Sequence, residues 1–224
     1  MSKNAKIAAI VSIAVVAVVA IVIAIVVTSQ SRSAPGPSSR EPGATPPSAL
    51  AADSYILNDT PDRKVVLVEF LDFECEACGA FYPYVEQLRE KYDGQVTFAF
   101  RYFPLPGHGN SVNAALAVES AARQGQLAPM FARMFETQAE WGEKGTESQA
   151  PLFRSYAEEL GLDMAKYDAD VASPEVAARV QADFDAAVAL GATGTPTFFV
   201  NDKMVQLDAF EDLERALKDA LAEN

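Results

Sequence analysis

The chain has 224 residues, half of them hydrophobic, and a formal net charge of −13 at neutral pH. This length is enough for one folded domain of about 150 to 200 residues beside a targeting segment. The first 52 residues carry a net charge of +3, so the remainder carries −16. Such an acidic surface argues against nucleic-acid binding, which depends on basic patches.

Residues 7–27 form an uninterrupted apolar stretch of 21 residues, built from Ala, Val and Ile apart from Ser12. A bilayer core needs about 20 such residues, whereas the apolar part of a secretory signal is usually about 7–15 residues long. We therefore predict a retained transmembrane signal-anchor helix, with a cleaved signal peptide as the alternative. No cysteine follows closely enough for lipoprotein attachment.

The flanking charges predict the orientation of this helix. Lys3 and Lys6 precede it closely, while Arg32 and Arg40 lie farther away on the other side. The positive-inside rule then places residues 1–6 in the cytoplasm and residues 53–224 outside the cell membrane. Residues 28–52 are rich in Pro, Ser, Ala and Gly and are predicted to be a flexible linker.

The domain begins with the pattern of a βαβ unit. Residues 64–71 are apolar on both faces, which is typical of a central strand. Apolar residues at helical spacing predict a helix over residues 75–91, and alternation over residues 96–101 predicts a second strand. A strand, a helix and a strand within about 40 residues predict a parallel pair.

A helical segment and a ββα unit complete the chain. Residues 110–190 show no strand pattern, and their apolar spacing predicts an inserted subdomain of four or five helices, one of them capped by Ser173. Residues 197–200 and 204–207 predict a β-hairpin with a turn at Asn201-Asp202. Asp208 and Glu211 resemble a capping box at the start of a final amphipathic helix.

Cys75 and Cys78 are the only cysteines, and they lie at the junction of the first strand and its helix. Zinc needs about four ligands, but the chain offers two thiols and one histidine, His108, so a metal site lacks partners. A redox-active dithiol remains. An inert disulfide is the alternative, although a bridge closing so short a loop restricts little chain entropy.

Three segments of the domain are distinctive: Glu69-Phe70-Leu71-Asp72-Phe73-Glu74-Cys75-Glu76-Ala77-Cys78, Arg101-Tyr102-Phe103-Pro104-Leu105 and Gly194-Thr195-Pro196-Thr197-Phe198-Phe199-Val200-Asn201. With these segments the chain resembles the DsbA-like class of thioredoxin-fold oxidoreductases. The resemblance covers residues 65–221, including the helical insert. The fold class that it implies is α/β: a thioredoxin fold with an inserted helical subdomain, preceded here by one transmembrane helix.

The resemblance and the helix position assign roles to four residues. Cys75 at a helix N-terminus is expected to be the exposed nucleophile, because the helix dipole favours its thiolate. Cys78, one turn later, is expected to be the buried resolving thiol. Thr195-Pro196 resembles the family's cis-proline segment, which offers its backbone to an extended substrate; an ordinary proline at a strand start is the alternative.

Three further residues are candidates for tuning the site. Glu69 lies six residues before Cys75, where burial would raise the pKa of its carboxyl group and let it exchange protons with Cys78. A glutamate that reaches water is the alternative. Glu76-Ala77 departs from the family's Pro-His, and acidic side chains near Cys75 are expected to oppose its thiolate and weaken the disulfide as an oxidant.

These observations predict a membrane-tethered, extracytoplasmic thiol–disulfide oxidoreductase that forms disulfides in exported proteins without a cofactor or metal. Reduced exported polypeptides are the expected substrates, and the resemblance implies a quinone-linked membrane redox partner. A reductase or isomerase of the same fold remains an alternative. A tethered polypeptide-binding protein without redox turnover is a second alternative, which the paired cysteines disfavour. His108, in the loop after the second strand, is expected to be an ordinary loop histidine, with a position bordering the site as the alternative.

Overall fold

The structure is a computed structural model that describes residues 48–142, 145 and 147–223. Its elements, in chain order, are β1 (Tyr55–Asn58), β2 (Val66–Leu71), α1 (Glu76–Lys91), β3 (Thr97–Tyr102), α2 (Ser111–Ala122), α3 (Leu127–Glu136), α4 (Gln138–Trp141), α5 (Ala150–Glu159), α6 (Met164–Val171), α7 (Pro174–Ala189), β4 (Thr197–Val200), β5 (Lys203–Met204) and α8 (Glu211–Ala222).

The five strands form one mixed sheet in the order β1-β3-β2-β4-β5. β2 and β3 are parallel, with Leu71 opposite Tyr102, as the βαβ pattern predicted. β4 runs antiparallel to β2 and pairs with β5 across a turn in which Asn201 and Asp202 both have positive φ. The central position of β2 explains why all six of its residues are buried.

The two faces of the sheet are covered by different helices. On one face, Leu67 and Phe98 pack in a cluster with residues of α1 and α8, such as Leu88 and Leu217. On the other face, Val68 packs in a cluster that includes residues of α7. Successive residues of β2 alternate between these faces, which places Glu69 on the same face as Leu67, beneath α1.

The helical insert has its own core at the end of the sheet that carries the cysteines. The cluster joins Leu71, Phe73 and both cysteines to apolar side chains of α2–α7. Five of its large side chains are buried: Met130, Phe131, Met134, Phe135 and Trp141. The insert therefore packs directly against the segment in which the chemistry is predicted.

The structure corrects four expectations. The insert contains six helical segments among the described residues rather than four or five. Strand β1 was not predicted; it pairs antiparallel with β3. The predicted capping box at Asp208 and Glu211 is wrong, because Asp212 instead accepts hydrogen bonds from two backbone N–H groups, those of Asp208 and Ala209. β5 is also shorter and earlier than residues 204–207.

Packing also begins earlier than residue 53. Ala49, in the predicted linker, is fully buried, and its backbone N–H donates to Asp202 at 2.7 Å. Within the described residues, no helix is both long and apolar enough to cross a bilayer. The predicted cytoplasmic N-terminus, the transmembrane span over residues 7–27 and the linker as far as residue 47 lie outside the described residues.

Candidate active site

The dithiol lies where β2 passes into α1. Cys75 is the N-cap residue of α1, with the extended backbone angles (φ −68°, ψ 120°) that N-cap residues usually adopt. Its backbone N–H donates to the Asp72 carbonyl oxygen at 3.2 Å, and its carbonyl accepts from Gly79 at 3.0 Å. Cys75 is 7% exposed and Cys78 is fully buried, and both thiols are free. The nucleophile is thus more enclosed than expected, although it remains the more accessible sulfur.

The two thiols differ strongly in acidity. The pKa of Cys75 is lowered to about 5, chiefly by a hydrogen bond from the Cys78 thiol and against the opposing effect of partial burial. Hydrogen bonds with Thr195 and with the backbone N–H groups of Cys78 and Ala77 contribute to the same lowering. Burial raises the pKa of Cys78 well above its usual value, and the neighbouring Cys75 and Glu69 add to that shift. At neutral pH, Cys75 is therefore a thiolate, while Cys78 keeps its proton.

Thr195 and Pro196 meet Cys75 across 120 residues of sequence. The peptide bond between them is cis. In its thiol form, Cys75 can donate from Sγ to the carbonyl oxygen of Thr195, which lies 3.4 Å away. Both residues come directly before β4, and β4 pairs with β2, so the sheet brings this segment to the dithiol.

Glu69 lies in the middle of β2, between Phe100 on β3 and Phe198 on β4. It is buried, so the predicted alternative of a side chain that reaches water is wrong. Burial raises the pKa of its carboxyl to about 8, and the charges of Cys75 and Glu86 contribute to the shift. Glu69 is therefore protonated at neutral pH, in a position electrostatically coupled to both cysteines.

The acidic residues near Cys75 differ in their burial. Glu76 and Ala77 are exposed, whereas Asp72 and Glu74 are buried. The Glu74 carboxylate accepts from the backbone N–H of Asn110 at 2.6 Å. Hydrogen bonds to the sulfur lower the pKa of Cys75 overall, and the expectation that acidic neighbours weaken the disulfide as an oxidant stays a prediction.

His108 is part of the site's surroundings rather than an ordinary loop residue. Its Nδ1 lies 2.6 Å from the Asp72 Oδ2, which also accepts from the backbone N–H of Leu105 at 2.9 Å. The imidazole is 20% exposed and the Asp72 side chain is fully buried. β2 and β3 are parallel neighbours, so the residues that follow them meet at one edge of the sheet. The predicted parallel pairing of β2 and β3 was therefore the sequence signal that could have placed His108 near Asp72.

Gln138 contacts the dithiol segment from the helical insert, and no sequence signal identified it. Its Nε2 donates to the carbonyl oxygens of Phe73 and Cys75 at 2.7 and 2.8 Å. Its Oε1 lies against Gly79, where an added Cβ would come within 2.0 Å. The first residue of α4 thus fixes the start of α1. Among the described residues, no three Cys, His, Asp or Glu side chains are grouped to hold a metal ion.

A protein-family model described as Thioredoxin matches residues 60–219. The chain belongs to this thioredoxin family. The match agrees with the observed sheet and helices, and it confirms the thioredoxin-like α/β fold that the sequence predicted. The matched range includes all seven candidate residues at positions 69, 75, 76, 77, 78, 195 and 196.

Solved structures of oxidoreductases are similar to the chain. A thioredoxin-like oxidoreductase from Silicibacter pomeroyi has 28% identity and a TM-score of 0.62, covering 76% of this chain and 93% of that one. Oxidoreductase DsbA from Xylella fastidiosa has 26% identity and a TM-score of 0.60, covering 72% and 86%. These neighbours support a thiol–disulfide oxidoreductase as the general kind of protein.

Part of a longer protein is also similar in sequence to this chain. The Na(+)/H(+) antiporter NhaA 1 of Mycobacterium sp. (strain KMS) is 36% identical over 148 residues, which are 64% of this chain. The chain spans only 23% of the length of that relative. The similarity therefore concerns one part of the antiporter protein.

Proposed function

We propose that this chain is an extracytoplasmic thiol–disulfide oxidoreductase that introduces disulfide bonds into exported proteins. The observation that carries the proposal is the unequal thiol pair at the start of α1: a Cys75 with a pKa of about 5 beside a Cys78 whose pKa is well above its usual value. An inert structural disulfide needs no such difference. A disulfide-exchange site does, because one sulfur must leave readily while the other waits protonated.

The reaction begins with the Cys75–Cys78 disulfide. A client thiolate attacks the Cys75 sulfur, forms a mixed disulfide and expels Cys78, which takes a proton. A second client thiolate then attacks the client sulfur of the mixed disulfide, so that the client disulfide forms and Cys75 leaves as a thiolate. Two electrons pass from the client to the enzyme, and the electrons reside in the sulfurs, so no cofactor is required.

Three groups support these steps. The low pKa of Cys75 makes it a good leaving group at neutral pH. Glu69, protonated at that pH, is placed to exchange a proton with Cys78, whose titration it influences. The backbone of Thr195, which lies beside the Cys75 sulfur, is the proposed contact for an extended client, with Pro196 next to it.

The direction of exchange also follows from the thiolate. A reduced form that is stabilised as a thiolate makes the corresponding disulfide a stronger oxidant. This favours disulfide formation over the reductase or isomerase alternative. Equilibration with glutathione buffers gives the potential of the Cys75–Cys78 pair. A potential near that of thioredoxin, about −270 mV, would favour the reductase alternative.

The decisive experiment mixes the oxidised full chain with a reduced, unfolded test protein. We expect transfer of the disulfide to the test protein and recovery of two thiols at Cys75 and Cys78. Cys78→Ala in its reduced form should be trapped by an activated client disulfide as a stable mixed disulfide, whereas Cys75→Ala should not. Failure of the oxidised chain to pass on its disulfide would rule out the proposed activity. A Cys75→Ala chain that still performed its cellular role would favour the polypeptide-binding alternative.

We further propose that residues 7–27 hold the domain at the outer side of the cell membrane, where a quinone-linked membrane protein reoxidises it. Tethering would raise the effective concentration of the two partners. The chain has only two cysteines, so a membrane-impermeant maleimide, applied to intact cells after mild reduction, can label this chain only at Cys75 and Cys78. Labelling without lysis supports this location, and labelling only after lysis contradicts it. Ion exchange is not proposed, since the chain spans 23% of the antiporter relative.

A further inference from the structure

We propose that His108 is a positioning residue of the redox site, whose imidazolium neutralises the buried Asp72 carboxylate and thereby favours the Cys75 thiolate. The proposal rests on the proposed exchange at Cys75 and adds to it a residue from a different loop. It explains how a thiolate is stable in a segment where the sequence places several acidic side chains.

The geometry places the Asp72 carboxylate directly under the cysteine segment. Its Oδ1 accepts from the Glu74 backbone N–H at 2.9 Å, and its Oδ2 accepts from the Leu105 backbone N–H at 2.9 Å. The carbonyl oxygen of the same residue accepts from the Cys75 backbone N–H. The carboxylate is therefore held by two loops and cannot turn away from the sulfur without breaking both.

Neutral N–H donors satisfy the hydrogen-bonding capacity of a carboxylate but do not cancel its charge. An uncompensated negative charge at this depth would oppose a second negative charge on Cys75. Among the described residues, His108 is the one ion-pair partner of Asp72, at 2.6 Å. The imidazolium thus removes the penalty that the buried acid would otherwise impose on the thiolate.

The electrostatics of His108 agree with this arrangement. Three titratable groups of the segment between β2 and α1 face it: Asp72, Glu74 and Cys75. Partial burial acts to lower the pKa of His108, but the hydrogen bond and charge of Asp72, together with the charges of Cys75 and Glu74, raise it above its usual value. The protonated form is therefore more populated at a given pH than in an ordinary histidine.

Coupling between the two groups is reciprocal. If the Cys75 thiolate raises the pKa of His108, protonated His108 lowers the pKa of Cys75 by the same amount. Formation of the Cys75–Cys78 disulfide removes the thiolate, so the pKa of His108 falls. The reduced protein then binds more protons than the oxidised protein in the pH range between the two His108 pKa values, and its potential changes more steeply with pH there.

The chain offers a direct measurement because His108 is its only histidine. In tag-free protein, one imidazole C2–H signal in the NMR spectrum reports its titration in chemically reduced and oxidised samples. We expect the pKa to be higher in the reduced form by about half a unit or more, the effect of one nearby unit charge in a partly solvated site. Equal values in the two forms would overturn the proposal.

Substitution tests the same coupling from the sulfur side. His108→Gln keeps a hydrogen-bond donor for Asp72 but removes the charge. We expect the pKa of Cys75, followed by thiolate absorbance near 240 nm, to rise by about half a unit or more. The equilibrium with glutathione should shift about threefold or more towards the disulfide, by the corresponding tenfold-per-unit relation. An unchanged pKa of Cys75 would contradict the proposal.

A second variant separates charge from damage to the fold. In the double variant Asp72→Asn with His108→Gln, both charges are gone, so the pKa of Cys75 should return towards its original value. If the pKa of Cys75 in the double variant is as high as in His108→Gln alone, His108 acts through structure rather than charge. That result would also overturn the proposal. Glu76→Gln, at an exposed acid beside Cys75, is the matched control and should have the smaller effect.

These measurements need no client protein. A difference in the His108 pKa between redox forms, without disulfide transfer to clients, would leave this proposal intact and refute the proposed function. Disulfide transfer to clients without a difference in the His108 pKa would refute this proposal and leave the proposed function intact.

Discussion

Glu69 is a single carboxyl group on an otherwise apolar strand, and its burial has a consequence for stability that can be measured. Its pKa is about 8 in the folded protein against an ordinary value of 4.5. Between these pH values the unfolded chain releases the proton while the folded chain keeps it. The free energy of unfolding therefore falls as pH rises through this range, by about 1.4 kcal/mol per unit at most.

We expect Glu69→Gln to remove this loss. Relative to the original protein, the variant should gain stability progressively between pH 5 and pH 8, reaching about 3–4 kcal/mol. Urea unfolding of both proteins in the reduced form, at several pH values, measures the difference, and the common titration of Cys75 largely cancels. Glu76→Gln, at an exposed glutamate, should show no such trend. A pH-independent difference for Glu69→Gln would mean that Glu69 is ionised in the fold.

At the scale of elements, the contact between α4 and α1 reverses a general rule. Glycine inside a helix is usually about 1 kcal/mol less favourable than alanine. Gly79 is an exception, because a Cβ there would lie 2.0 Å from the Gln138 Oε1. Gln138 in turn donates to the carbonyl oxygens of Phe73 and Cys75. The absence of a side chain at Gly79 therefore lets the helical insert contact the segment that carries Cys75.

Gly79→Ala is therefore expected to destabilise the protein by about 1–3 kcal/mol, the usual cost of overpacking. In a Gln138→Ala background, the same substitution should become neutral or stabilising by up to about 1 kcal/mol, because the clash is gone and helix propensity remains. Urea unfolding of the four proteins completes this double-mutant cycle. If Gly79→Ala costs the same stability in both backgrounds, the Gln138 side chain is not the group with which the added methyl clashes.

The elements differ in how far the sequence determines them. β2 and α1 were predictable because their apolar spacing is strong and local. Strand β1 was missed because all four of its residues, Tyr55–Asn58, are only partly buried, so it shows no alternation and depends on pairing with β3. Within the site, Cys75 and Cys78 follow from their spacing. The contact of Asp72 with His108 depends on two loops meeting, and that of Gln138 depends on how the insert packs.

At the scale of the whole molecule, one buried ion cluster joins three parts of the chain. Asp183 on α7 accepts from the Arg101 Nε at 2.6 Å and from the Tyr102 backbone N–H at 3.2 Å, both on β3. The Nη1 of Arg179, also on α7, lies 2.6 Å from the Asp183 Oδ2, the same oxygen that accepts from Tyr102. Arg101 also donates to the carbonyl oxygen of Ala49, so the cluster connects the insert, the sheet and the start of the domain.

Replacing Asp183 by Asn should therefore destabilise the molecule by about 3–5 kcal/mol, because the buried Arg101 would lose its carboxylate partner and Arg179 would keep only its contact with the exposed Asp53. Asp168→Asn is the matched control: its pair with Arg154 has the same donor and acceptor types at 2.8 Å, but both side chains are about half exposed. That pair should contribute less than about 1 kcal/mol. Chemical unfolding of both variants distinguishes the cases, and similar small losses would show that the cluster is not what ties the three parts together.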